Sequence, residues 1–174
     1  MGMDIEIQST RFGTLLVDEE RVINFQSGLL GFPEHKRFAL IQTGEENYFF
    51  WLQSVDEPNL AFVVTDPALF FKGYEVPLRD ETREELRLQD PREGEGESDG
   101  GREGADVIDN PERYLQVFVI CNKVDEWLTG NLLGPLVVNA QNRLGQQVVL
   151  TEKKWTTRQP LMRLEADVPL AKSA

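Results

Sequence analysis

The chain is poor in groups that do nucleophilic or metal chemistry: of 174 residues, one is Cys and one is His. A single Cys closes no intramolecular disulfide, so a reducing, cytoplasmic setting is expected. A Ser-His-Asp or Cys-His arrangement would have to use His35, which sits in the charged turn Phe32-Pro33-Glu34-His35-Lys36-Arg37. An exposed loop His makes a poor base, because a base needs a buried orienting partner. One His and one Cys lying 86 positions apart make no zinc ligand cluster, and no metal or cofactor is expected. Long apolar runs are also missing. None approaches the ~20 residues of a membrane helix, and the first residues alternate polar and apolar, so neither a membrane segment nor a secretion signal is expected. Positive charge is scarce, with 18 Lys and Arg against 30 Asp and Glu, a net charge of −12. Proteins that grip nucleic acid draw most of their affinity from Lys and Arg on phosphates, so direct nucleic-acid binding is not expected.

What is present suits one domain able to bury roughly 70% of its unfolded surface. The charge is uneven: residues 1–88 carry −8, residues 89–106 carry −5, residues 107–150 carry −1 and residues 151–174 carry +2. The stretch 89–106 reads QDPREGEGESDGGREGAD, with five Gly and no apolar residue larger than Ala105. It has nothing to offset its ordering entropy and is expected to be a disordered acidic surface loop within the domain.

Period-two alternation dominates the rest. Ile5 and Ile7 alternate with polar neighbours, and Gly13 leads into Thr14-Leu15-Leu16-Val17. Further strand patterns follow at Arg21-Val22-Ile23-Asn24-Phe25, Phe38-Ala39-Leu40-Ile41, Tyr48-Phe49-Phe50-Trp51-Leu52 and Leu60-Ala61-Phe62-Val63-Val64. Beyond the acidic stretch, the run from Tyr114 to Cys121 has the β-branched and aromatic content of a buried strand, with Cys121 on its apolar phase. A hairpin is predicted with strands at Leu136-Val137-Val138-Asn139 and Gln147-Val148-Val149-Leu150, turning at Asn142-Arg143-Leu144-Gly145. One helix is expected over 81–88, capped by Asp80 and stopped by Pro91, and a second short turn near 125–128. The fold class is therefore mainly β: an antiparallel β-barrel-like single domain with one or two short helices.

Three motifs invite a functional reading. Gly94, Gly96 and Gly101 lack the GK[ST] ending of a phosphate loop and sit among acids that repel phosphate. Paired acids such as Glu45-Glu46, Asp56-Glu57 and Glu84-Glu85 suggest carboxylate catalysis, but neighbours on a strand face opposite sides. The third motif is Asp66-Pro67-Ala68-Leu69-Phe70-Phe71-Lys72-Gly73-Tyr74, more apolar than a surface loop normally is. Either Leu69, Phe70 and Tyr74 plug a barrel end, or the aromatics are an anchor for a partner protein. Asn131, beside Leu132-Leu133-Gly134-Pro135, has the same two readings, turn-former or interface residue. The candidate partner-binding residues are thus Asp66, Phe70, Phe71, Tyr74 and Asn131, with none catalytic. A small β-barrel acid/base hydrolase and a carbohydrate-binding or structural β domain are the competing readings.

The same segments carry a family resemblance. Phe25-Gln26-Ser27-Gly28-Leu29-Leu30-Gly31-Phe32, Trp51-Leu52-Gln53-Ser54-Val55-Asp56-Glu57-Pro58 and Leu60-Ala61-Phe62-Val63-Val64-Thr65-Asp66-Pro67 are followed by Tyr74-Glu75-Val76-Pro77-Leu78. The later half adds Leu128-Thr129-Gly130-Asn131-Leu132-Leu133-Gly134-Pro135-Leu136-Val137-Val138-Asn139 and Arg158-Gln159-Pro160-Leu161. In order and content these resemble the FliW family, bacterial flagellar assembly factors, over a domain of residues 1–163. Residues 89–106 look like an insertion and 164–174 like a C-terminal extension. The resemblance implies a compact barrel-like fold and a cytoplasmic regulator with two protein partners. It implies binding to the RNA-binding translational repressor CsrA, relieving repression of flagellin mRNA, and binding to flagellin itself as a chaperone.

Overall fold

The computed structural model describes residues 3–43, 48–88 and 111–164. The acidic stretch 89–106 and residues 165–174 lie outside the described residues. The strands are β1 (Asp4–Ser9), β2 (Gly13–Asp18), β3 (Val22–Phe25), β4 (Arg37–Ile41), β5 (Phe49–Ser54) and β6 (Ala61–Thr65). Helix α1 (Asp80–Glu85) precedes β7 (Leu115–Val124), β8 (Trp127–Gly130), β9 (Leu136–Asn139), β10 (Leu144–Gln147) and β11 (Gln159–Arg163).

Seven strands close into a barrel in the order β7-β6-β5-β4-β3-β10-β9, with β9 returning to β7. A ring with an odd number of staves cannot alternate direction all the way round, so at least one pair must be parallel. That pair is β3–β10, in register at Leu144↔Asn24 and Gly145↔Phe25. The other six pairs are antiparallel. The mainly β, barrel-like class read from the alternation is the fold, with α1 the one α-helix among the described residues.

Alternation decides what each stave buries. In β4, Phe38 and Leu40 enter the barrel cluster with Ile23, Phe25 and Leu52, while Ala39 and Ile41 face out. The β1–β2 hairpin covers that outer face with Ile7 and Val17. In β5, Phe50 points in, and the outward Trp51 is covered by Phe12 at 5.8 Å and by the Arg11 guanidinium 4.2 Å above its ring. Phe25 and Phe38 meet edge to face at 5.8 Å and are fully buried, each contributing about 1.5–3 kcal/mol of transfer free energy. Both faces of β9 are covered, so its residues Leu136, Val137, Val138 and Asn139 are all buried. Gln53, on the outer phase of β5 and fully buried, is satisfied by Ser9 Oγ donating to its Oε1 at 2.8 Å. Its Nε2 donates to the carbonyls of Ser54 at 3.1 Å and Leu60 at 3.2 Å, which ties the hairpin to the β5–β6 turn.

Several local readings are corrected. The predicted hairpin turns earlier: β10 already begins at Leu144, and Arg143 takes the positive φ of 63°. Asn139 Oδ1 accepts from Gln141 N–H and Asn142 Oδ1 from Leu144 N–H, and these side-chain bonds bend the chain before position 144. Val148 and Leu150 then leave the sheet to pack around Leu86. Asp80 is the first helical residue rather than the cap; Arg79 holds that position with no side-chain cap bond. The helix ends before Leu88 because Arg87 turns to φ 53°, and the side-chain amides of Asn139 and Asn142 both donate to the Leu86 carbonyl at 3.0 Å. The turn expected near 125–128 is the tip of a β7–β8 hairpin, with Asp125 at φ 54° and Trp127 already in a strand. Leu164 is buried against Cys121 and Leu128, and its N–H donates to the Glu126 carbonyl at 2.6 Å.

A candidate partner-binding cleft

The sequence Thr65-Asp66-Pro67 sets up the site. Pro67 has no N–H for the ladder, so β6 stops at Thr65. The Asp66 carboxylate accepts from Ala68 N–H at 2.9 Å and caps a 3-10 turn over Pro67–Leu69. β7 is twice as long as β6 and continues beyond it. Pairing with β6 ends at Thr65↔Val119, and residues 115–118 pair only with β9, on the opposite side. The gap between the capped turn and this overhanging part of β7 is a cleft of about 570 Å³, a size that holds small ligands or short peptide segments. Leu40, Phe50 and Phe118, from the barrel end, form its apolar floor, and Tyr74 and Val76 bound it on the outer side.

The structure brings four of the five candidate residues together around this turn. Asp66 is exposed and lines the cleft. Phe70 is half-buried, its ring 6.2 Å from that of Phe49 on β5. Phe71 is half-buried against Trp155, with centroids 5.2 Å apart. Tyr74 crosses the same Trp155 edge to face at 5.4 Å and donates its hydroxyl to the Leu132 carbonyl at 2.7 Å. Burial, and secondarily the carboxylate of Glu152, push the Tyr74 phenol well above its ordinary pKa, so it stays a neutral donor. The plug reading is corrected. The cluster that fills the barrel contains none of Leu69, Phe70 and Tyr74; Phe71 and Tyr74 join Trp155, Val119 and Leu132 in a separate cluster. Leu69, about half exposed, is the open apolar rim of the cleft.

Asn131 lies apart from the cleft lining. Its Oδ1 accepts from Leu133 N–H at 3.2 Å, and a Cβ on Gly134 would sit 2.8 Å from its Nδ2. Gly134 is thus small because Asn131 fills the space beside it. Sequence reasoning missed residues 115–118 and the barrel-end floor. The usable signal was length: the apolar run ending at Cys121 outlasts any partner strand read from the sequence, so part of it must overhang.

Among the described residues no group of His, Cys, Asp and Glu is placed to hold a metal ion. Burial pushes the Cys121 thiol up to about 12, which keeps it protonated and inert. No helix among the described residues is long and apolar enough to cross a membrane.

Fold and cleft together define a closed seven-stave β-barrel scaffold with an apolar surface cleft that carries the Asp66 carboxylate on its rim. The family model described as FliW protein matches residues 6–161. A flagellar assembly factor FliW from Magnetococcus marinus is 42% identical over 158 residues, covering 91% of this chain and 85% of that protein. Its Bacillus subtilis counterpart is 35% identical over 157 residues, covering 89% and 95%. A crystal structure of the flagellar assembly factor FliW superposes with a TM-score of 0.71 at 30% identity, covering 94% of this chain and all of that one. The chain belongs to the FliW family of flagellar assembly factors.

Proposed function

We propose that the chain works in the cytoplasm by binding two protein partners: CsrA, whose repression of flagellin mRNA it relieves, and flagellin, which it holds as a chaperone. The observation that carries the reading is the pairing of a −12 charge with a half-exposed apolar rim at Leu69. A repressor that grips RNA presents Lys and Arg, and an acidic partner meets it with complementary potential, raising the encounter rate and making binding salt-sensitive. Apolar contacts such as Leu69 then slow dissociation. The same acidity keeps the factor off the RNA, so it does not compete for the message. Asp66 contributes charge at the rim, while Phe70, Phe71 and Tyr74 hold the rim in shape through Phe49 and Trp155.

Calorimetric titration with purified CsrA and with purified flagellin, at low and at high salt, tests this. Micromolar or tighter binding is expected, with the CsrA affinity falling as salt rises. Absence of binding by both proteins at micromolar concentration and low salt would overturn it. Leu69→Asp adds charge at an exposed apolar position and is expected to weaken association while leaving thermal stability within about 0.5 kcal/mol.

A further inference from the structure

We propose that the overhanging edge of β7, residues 115–118, takes up an extended segment of a partner protein as an added strand. The segment places one apolar side chain over the barrel end and a Lys or Arg beside Asp66. This rests on the partner-binding reading above and adds the mode of binding and the chemistry of the bound segment.

The cleft touches all four consecutive residues from 115 to 118. Successive side chains of a strand point to opposite faces, so only a space running along the backbone edge meets four in a row. The direction of the hydrogen bonds agrees. The Ile120 carbonyl accepts from Asn131 N–H, on the β8 side, so alternation turns the polar groups of Val119 and Val117 to the β6 side. Val119 meets Thr65 there. Val117 has no strand opposite it among the described residues. The neighbouring turn does not replace one, because its amides are spent internally: Leu69 N–H on the Asp66 carbonyl, and Phe70 and Phe71 N–H on the Pro67 carbonyl. An edge of four residues spans about 13 Å, and open edges of this kind are templates for another strand. In strand addition, main-chain bonds supply affinity and side-chain pockets supply selectivity. Here the floor of Leu40, Phe50 and Phe118 selects an apolar side chain. Asp66 is the one charged residue among the described lining, so the complementary neighbour is a cation.

The probe is a synthetic hexapeptide, Lys-Val-Thr-Val-Thr-Val, added to the full-length ¹⁵N-labelled chain. At saturation, amide exchange at Val117 is expected to slow at least tenfold. A peptide N-methylated on the docking edge should bind at least tenfold more weakly than one methylated on the other edge. Val117→Pro should abolish peptide binding. Should that variant fail to fold, Ala68→Trp fills the cleft from an exposed position and is expected to do the same. No binding of the peptide at millimolar concentration, or binding with Val117 exchange unchanged, overturns the proposal. CsrA and flagellin are run in parallel to separate the two readings. If they bind but leave Val117 exchange and the Ala68→Trp affinity unchanged, strand addition fails and the partner assignment stands. If neither binds while the peptide protects Val117, the partner assignment fails and the docking edge stands.

Discussion

Gly145→Ala is the sharpest test of how the barrel closes. Gly145 lies on β10, in register with Val138 of β9 on one side and Phe25 of β3 on the other. A Cβ there would meet Phe25 Cε1 at 2.6 Å, Phe25 Cδ1 at 2.9 Å and Ile23 Cγ2 at 3.0 Å. Carbon atoms rest at about 3.5–4.0 Å, so the Phe25 ring would have to retreat by roughly 1 Å. It has nowhere to go, being fully buried with its edge on Phe38. Overpacking of this kind costs about 1–3 kcal/mol. Ala also restricts the unfolded chain, worth about 0.4–1 kcal/mol in favour of folding. The clash wins, leaving a net loss of about 1–2 kcal/mol, or roughly 2–8 °C in Tm for a chain of this size. Urea melts followed by Trp fluorescence measure it, with an unchanged slope expected if only stability moves. Gly73→Ala is the matched control, because a Cβ there meets nothing within 4 Å. It should be neutral or stabilising by up to about 1 kcal/mol. Phe25→Leu in the Gly145→Ala background should recover part of the loss, as a coupling of about 0.5 kcal/mol or more in the double-mutant cycle. A Gly145→Ala protein as stable as its parent, or a strictly additive cycle, would refute the closure geometry.

Other outcomes follow from the same contacts. Tyr74→Phe keeps the ring on Trp155 and loses the bond to the Leu132 carbonyl, so a urea melt should show a loss of about 0.5–1.5 kcal/mol. Gln53→Ala leaves the Ser9 hydroxyl without its acceptor and removes the buried amide that donates to the Ser54 and Leu60 carbonyls; a loss of about 1–3 kcal/mol is expected in the same assay. The Cys121 thiol and the Tyr74 phenol both have raised folded-state pKa values, so the folded chain holds their protons longer than the unfolded one. Their contribution is complete below the unfolded pKa and lost as pH climbs through the folded one. Stability should therefore fall from about pH 9 toward about 12, and more shallowly in Cys121→Val. A thiol reagent at pH 8 should leave the native chain unmodified; rapid labelling would contradict the burial of Cys121.

Much of the fold was legible because its physics is local. Alternation at Phe38-Ala39-Leu40-Ile41 marks a stave with two covered faces, and Gly13 marks a hairpin turn at φ 76°. The errors arose where side chains bond across the chain. Asn139 reads as the end of a strand and Asn142 as an ordinary turn residue, yet their amides hold the Leu86 carbonyl at the end of a helix more than fifty positions earlier. β8 was missed because Asp125, at positive φ without being Gly, hides a tight hairpin turn. The candidate cleft was half legible. Asp66, Phe70, Phe71 and Tyr74 drew notice by composition, but their support by Trp155 depends on a long-range approach that no local pattern encodes. Residues 115–118 carry no distinctive side-chain chemistry, since their interest lies in an edge that, among the described residues, has no strand opposite it on the β6 side.

The odd number of staves has a consequence for how this chain comes off the ribosome. The parallel seam joins Asn24 to Leu144, two residues 120 positions apart. At a synthesis rate of about 5–20 residues per second, β3 waits on the order of 6–24 s after its own translation for the strand that seals it. Until then one side of β3 is bare, and the aromatic lining around Phe25 and Phe38 is open to water. Late sealing of this kind ranks among the slow steps of folding, because its loop must be closed before the contact gives anything back. Chains cut short before position 144 are accordingly those most exposed to aggregation.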